Sequence, residues 1–219
     1  SAATQPAPPA GPPFPEPVTG QRVYDFAGAL ESATERQAQA TAEAIETRTG
    51  AQVVVFTQLK PGATQSDTEA DAIALIDQWG IGRRGFDDGL VIFYNLDETL
   101  VHGQVQLYAA PGFRATFLSN EERQAIFEND MLPLLRVGDL DGATLAALAR
   151  IDRAATPENA QRLQAARQVD ALLGLVGAPL AFIVLFGWAV FHWLRYGRDP
   201  EYIDDPSIYA AGPPAELTP

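Results

Sequence analysis

Cysteine is absent from the 219-residue sequence, which excludes disulfides, thiolate zinc sites, Cys-ligated iron–sulfur clusters, a thiol nucleophile and an acylated N-terminal cysteine anchor. The redox compartment therefore cannot be read from it. Histidine is nearly as scarce: His102 and His192 stand far apart in the chain, so no histidine pair can hold a metal. Positive charge is also short, with 15 Lys and Arg against 28 Asp and Glu, a net charge of −13. The resulting pI near 4.4 is the wrong sign for gripping a phosphate backbone, and nucleic acid is not an expected partner. No G-x-S-x-G elbow occurs, nor any nucleophile, base and orienter set of the kind acyl transfer needs.

What is present is strong segmentation. Residues 1–22 form a leader in which Pro6, Pro8, Pro9, Pro12, Pro13, Pro15 and Pro17 favour extended polyproline II, a spacer that cannot build a core. Its opening Ser-Ala-Ala, with no Met before it, fits a mature N-terminus after signal-peptide removal and fits a shortened chain equally. Residues 23–153 carry mixed helix and strand patterns, 154–170 read as a helical stalk, and 196–219 form a polar tail. Between stalk and tail, Ala171 to Leu194 contains no Asp, Glu, Lys or Arg. At 1.5 Å per residue it extends about 36 Å, enough to cross a hydrocarbon core of about 30 Å, so residues 171–195 are expected to be a single transmembrane helix. Trp193 and Tyr196 suit the headgroup level.

Basic residues do not decide the orientation, since Arg153, Arg162 and Arg167 precede the span while Arg195 and Arg198 follow it. A removed signal peptide would place the globular domain outside and the tail in the cytoplasm, and that topology is the expectation. Gly174, Ala178 and Ala181 make a stripe of small residues on which a partner helix could pack. His192, at the membrane boundary, is a candidate ligand for a pigment or haem; its alternative is an interfacial residue beside Trp193.

Within the domain, the spacing predicts a helix from Leu30 to Thr49 stopped by Gly50 and a buried strand from Gln52 to Leu59. A capping box, Ser66-Asp-Thr-Glu69, should then start a helix ending at Gly80. A second buried strand, Gly89 to Leu96, pairs across a turn with the alternating segment Gln104 to Tyr108. A second capping box, Ser119-Asn-Glu-Glu122, opens a helix that Pro133 should kink or end, and another helix runs from Asp139 to about Arg153. Thr156-Pro157-Glu158 caps a last helix, expected to run on as one rod bent at Pro179. This order predicts a layered α/β/α sandwich on a small mixed sheet.

Gly80-Ile-Gly82-Arg-Arg-Gly85 matches the dinucleotide pattern G-x-G-x-x-G, but it leaves a helix and enters a strand. A phosphate-binding loop runs the other way, so a glycine-rich helix stop is the better reading. The polar cluster of most interest is Asp87-Asp88 before the second strand, with Asp97-Glu98 in the next turn and Asp25 near the start of the domain. Such carboxylates suit a hard cation, Ca²⁺ or Mg²⁺; acids are also what turns prefer.

Four segments carry a resemblance in order and spacing: Val23-Tyr-Asp25-Phe-Ala27-Gly28-Ala-Leu30, Thr49-Gly50-Ala-Gln52-Val-Val-Val, Trp79-Gly80-Ile81-Gly82-x-x-Gly85-x-Asp87-Asp88-Gly89-Leu90, and Gly138-Asp139-x-x-Gly142. Together, from Val23 to Asp152, they resemble the TPM domain family. The resemblance implies an exported α/β domain, often tethered by one membrane helix. Relatives include thylakoid-lumen proteins that maintain or repair photosystem II, an animal protein that modulates a receptor, and calcium-binding acid phosphatases with carboxylates at positions like Asp25 and Asp87 or Asp88. Where the family usually has Gly-x-Gly-x-Glu, this chain has Tyr108-Ala-Ala-Pro111-Gly112-Phe-Arg114, with the acidic residue missing and an arginine close by. The expectation is thus a tethered accessory subunit of a larger membrane complex, photosynthetic or electron-transfer, in contact with lipid and other subunits. The alternative is a Ca²⁺- or Mg²⁺-dependent phosphatase using Asp25, Asp87 and Asp88 as ligands.

Overall fold

The structure is a computed structural model that describes residues 9–196, with the side chains at 167 and 169–181 outside the description. The chain divides into two units, 1–167 and 168–219. In the first, four strands lie in the order β1 (Val23–Asp25), β2 (Gln52–Leu59), β3 (Gly89–Leu96), β4 (Gly103–Ala109). The first three are parallel, and β4 returns antiparallel to β3. The expected α/β class on a small mixed sheet is present. Strand β1 went unforeseen because three residues carry no periodicity of their own.

Period-two alternation sorts the strand side chains into two cores. Val53, Val55, Leu90, Ile92, Tyr94 and Leu107 face one side, packed against Ala38, Ala42 and Ile45 of α1 (Ser32–Thr49) and Ala147, Leu148 and Ile151 of α6 (Leu140–Ala154). Val54, Phe56, Val91 and Phe93 face the other, against Ala72, Leu75 and Ile76 of α2 (Gln65–Trp79). Being covered on both faces is why β2 and β3 read as unbroken apolar runs. Tyr94 sends its hydroxyl to Thr144 at 2.9 Å, satisfying the polar end of a fully buried ring.

The leader corrects the sequence expectation. Phe14 is 4% exposed and belongs to the core on the α2 side. Its ring meets Phe56 at 5.3 Å and Phe93 at 6.0 Å, both edge to face. Gln78 clamps its backbone, accepting from Phe14 N at 2.8 Å and donating to Phe14 O at 2.7 Å, and Trp79 Nε1 donates to Pro15 O at 2.8 Å. Gly11 N donates to Gln58 Oε1 at 2.9 Å. Gln58 in turn belongs to a buried polar group with Asn95 and Asp71, into which Lys60 Nζ donates at 2.6 Å. Proline-rich chain builds no core alone, but one aromatic among the prolines suffices to strap it across a sheet.

Three local differences have simple causes. Helix α2 starts two residues early, because Thr64 and Asp67 make the capping box: Asp67 N donates to Thr64 Oγ1 at 3.1 Å and Thr64 N to Asp67 Oδ2 at 2.8 Å. A short α3 (Pro111–Thr116) follows β4, where the sequence offered only Pro at a first helical position. After α4 (Asn120–Ala125), Pro133 neither ends nor simply kinks the helix. A π segment, Ile126–Met131, widens the chain before α5 (Leu132–Leu135), accommodating a ring that cannot donate to the preceding turn. The Ser119–Glu122 capping box stands as expected.

Helix α7 is Pro157–Tyr196. Its first turns contribute Ala160 and Leu163 to the buried residues of the first unit, so part of the expected stalk is core. In the second unit, Phe182, Ile183, Leu185, Phe186, Trp188 and Trp193 are all exposed. The expected span at 171–195 lies partly outside the described side chains; among the described residues no helix is long and apolar enough to cross a membrane.

Candidate functional site

The glycine segment after α2 forms a closed loop at the end of the sheet where β2 and β3 begin. Gly82, at φ +106°, lies so close to the start of β3 that an added Cβ would stand 2.6 Å from Gly89 N, and its own N–H donates to Gln52 Oε1 at 2.8 Å. Gly112, at the start of α3, presses its Cα against the loop: a Cβ there would fall on the Phe86 carbonyl oxygen. Backbone packed on backbone tolerates no side chain at either position.

Asp88 is fully buried inside this loop. Its Oδ1 accepts from Arg83 N at 2.7 Å, and its Oδ2 from Arg83 Nε at 2.8 Å. Arg83 Nη2 also approaches Oδ2 to 2.6 Å, close enough for an ion pair but off line for a hydrogen bond. The guanidinium lies over the Phe86 ring, 4.3 Å from its centre. A buried carboxylate is stable only when so engaged, and Asp88 is spent on the loop's own geometry.

Asp87 adopts left-handed backbone, φ 52°, which Asp tolerates. Its carbonyl accepts from Gly112 N at 2.9 Å and Phe113 N at 3.2 Å, tying α3 to the loop. Asp87 also lines a cleft of about 390 Å³ together with Asp77, Arg84 and Tyr108. Asp25 lies at the opposite end of the sheet: it pairs with Thr57, which pairs with Tyr94, five residues beyond Gly89. At about 3.3 Å per residue that separation is about 16 Å. Asp25 Oδ1 accepts from Ala29 N at 3.0 Å and from Thr57 Oγ1, and Oδ2 from Leu30 N at 2.9 Å. It therefore shapes the turn entering α1.

The structure thus does not bring the expected ligand set Asp25, Asp87 and Asp88 together, and among the described residues no group of three His, Cys, Asp or Glu could hold a metal. Asp25 and Asp88 already accept from several donors each, so this set does not fit a shared Ca²⁺ or Mg²⁺. Asp97 is likewise a turn residue, its Oδ1 accepting from Thr99 N at 3.0 Å and Thr99 Oγ1 at 2.6 Å. Arg114 is not among the cleft-lining residues; the cleft's arginines are Arg83 and Arg84, and the charge of Arg114 acts on Arg123. His192 sits between Trp188 and Tyr196, ring centres 5.4 and 4.7 Å away. The stripe of Gly174, Ala178 and Ala181 lies outside the described side chains. Sequence reading missed Arg83 as the partner of Asp88; the signal available was an arginine in the same turn as a carboxylate that strand burial would enclose.

A sheet of three parallel strands and one antiparallel, helices on both faces, and a glycine loop closed by a buried Asp–Arg pair define an α/β domain of one recognisable kind. The TPM domain profile matches residues 23–154. The chain belongs to the TPM domain family. Two structures solved in solution by NMR match parts of the chain. The N-terminal domain of a P. gingivalis protein is 21% identical with a TM-score of 0.52, covering 62% of this chain and 82% of that one. The N-terminal domain of a Corynebacterium glutamicum protein is 16% identical with a TM-score of 0.45, covering 66% and 86%. None of the curated proteins matches the chain.

Proposed function

We propose that this chain is a single-pass membrane protein whose exported TPM domain docks on, and stabilises, a larger membrane complex. The observation that carries the reading is the apolar end of the chain. From Ala171 to Leu194 the sequence holds no Asp, Glu, Lys or Arg, and in the described part Phe182, Ile183, Val184, Leu185 and Phe186 are exposed at consecutive positions. Consecutive exposure means apolar surface on every side of the helix, which water opposes and lipid or neighbouring helices accept. The domain's carboxylates point the same way: Asp88 and Asp25 serve the fold. The family resemblance makes a photosynthetic or electron-transfer complex the partner class, with the domain exported and the tail in the cytoplasm.

Extraction of the full chain in mild detergent tests this. Co-purification with stoichiometric membrane subunits is expected; a lone monomer, or a chain freely soluble without lipid or detergent, overturns it. Protease added to intact cells should cut the domain and spare the tail. Visible absorbance in the purified chain, lost on His192→Ala, would add a pigment or haem to the partners.

A second reading, a Ca²⁺- or Mg²⁺-dependent phosphatase, draws on the cleft that Asp77, Asp87 and Arg84 share. Hydrolysis of p-nitrophenyl phosphate that needs the cation and disappears on Asp87→Asn would put this reading first.

A further inference from the structure

Strand β4 is paired on one side only. Asp97 N donates to His102 O at 2.9 Å and Ala110 N to Gly89 O at 2.8 Å. Even-numbered residues of β4 therefore face β3, and the N–H and C=O groups of Val105, Leu107 and Ala109 face outward. Along this edge runs a groove of about 300 Å³, walled by Gln65 at the start of α2, by Arg123 of α4 and by Phe127 of the π segment. Segments of π-helix recur at functional sites, and this one sets a wall of the groove.

Arg123 is half-buried over the edge. Its Nη1 donates to Leu107 O at 2.7 Å and Nη2 to Asn120 Oδ1 at 3.0 Å. Its Nε is buried with no hydrogen-bond partner among the described residues, and none of the ion pairs there includes it. Burial, and then the positive charge of Arg114, loosen its proton, with Glu69 and Tyr108 acting the other way. Arg123 is thus a partly desolvated cation whose buried Nε donor a carboxylate would satisfy.

We propose that the β4 edge receives an extended acidic segment of a partner protein as a fifth strand, with a carboxylate of that segment on Arg123. The inference deepens the accessory-subunit reading and rests on it for the partner being a protein. Outward backbone groups other than the Leu107 carbonyl, which Arg123 holds, supply the ladder, and the guanidinium selects an acidic side chain. A second copy of this chain fits poorly, since antiparallel pairing of β4 with β4 would bring the Arg123 side chains of both copies together.

The test uses the full chain in detergent micelles and a fluorescent peptide alternating Val and Glu over about eight residues, a typical strand length. Saturable binding is expected, with new amide-exchange protection at Val105 and Leu107. Arg123→Gln should weaken it at least about tenfold. Val105→Pro should do the same, because it removes an outward donor and leaves the β3 ladder whole. Should Arg123→Gln fail to fold, Val105→Pro and a peptide N-methylated at alternate amides carry the test, and both should bind weakly. No binding of the Val–Glu peptide, equal binding of a Val–Lys or N-methylated peptide, undiminished binding by both variants, or β4 protection through self-association each overturns the proposal. Peptide binding by a monomer that co-purifies with nothing would defeat the accessory reading and keep the edge site. Co-purification indifferent to both variants would do the reverse.

Discussion

Arg83 encloses the carboxylate of Asp88 through its backbone N–H at 2.7 Å, its Nε at 2.8 Å and its Nη2 at 2.6 Å, within a single loop. The pair turns the most distinctive segment of the sequence into a rigid lid over the starts of β2 and β3.

Arg83→Met should therefore strand a fully buried charge and cost about 3–5 kcal/mol of stability. Asp88→Asn combined with Arg83→Met should cost less than the two single changes summed, because the second change removes the charge that the first exposes. Thermal unfolding of the four proteins completes the cycle; strict additivity would contradict the pairing.

Phe14→Ala should destabilise by about 3 kcal/mol, the cost of emptying a well-packed aromatic site. Glu16→Ala, exposed beside the strapped aromatic, should change little. Protease sensitivity of the leader, together with the unfolding midpoint, reads both effects.

Gly112→Ala places a Cβ on the Phe86 carbonyl. The start of α3 must move away from the loop, breaking the bonds from Gly112 N and Phe113 N to Asp87 O. Loss of a cooperative transition, or a fall of at least about 2 kcal/mol, is expected by thermal melts.

Stability should fall at both ends of the pH scale. Asp67 is held below the usual carboxylate range first by the Thr64 hydroxyl and then by the Thr64 backbone, and Asp97 first by the Thr99 hydroxyl. Depressed folded-state values contribute stability above the unfolded value of 3.8 and lose it as pH drops through the folded values. Glu35 opposes this, raised by desolvation and then by the charge of Asp25. At the other end, burial pushes the Tyr94 hydroxyl far up. Its contribution is whole below the unfolded value near 10 and is lost as pH climbs beyond that. Tyr94→Phe should lower the neutral midpoint, leaving the Thr144 hydroxyl unpaired, while flattening the alkaline decline. Midpoints measured from pH 2.5 to 11.5 check both slopes.

The strands β2 and β3 were legible to the residue because full burial leaves a continuous apolar run bounded by Gly or Gln. Helices α1, α2 and α6 were legible to within about two residues, since caps such as Thr64 and Ser66 compete and only geometry decides between them. The site was far less legible. Asp25 and Asp88, which the family resemblance groups as one ligand set, sit at opposite ends of parallel strands, a separation that only the register reveals. The role of Phe14 and Pro15 was hidden because their partners, Gln78 and Trp79 respectively, each lie 64 residues on, and composition describes neighbours in sequence alone.

That distance also orders events during synthesis. The strap leaves the ribosome before the helix that clamps it has been made, so it can settle only once α2 has followed it out. Until α2 arrives, the aromatic side chain waits among prolines, which keep it extended and out of premature contacts; any fusion placed ahead of Gly11 inherits that waiting period.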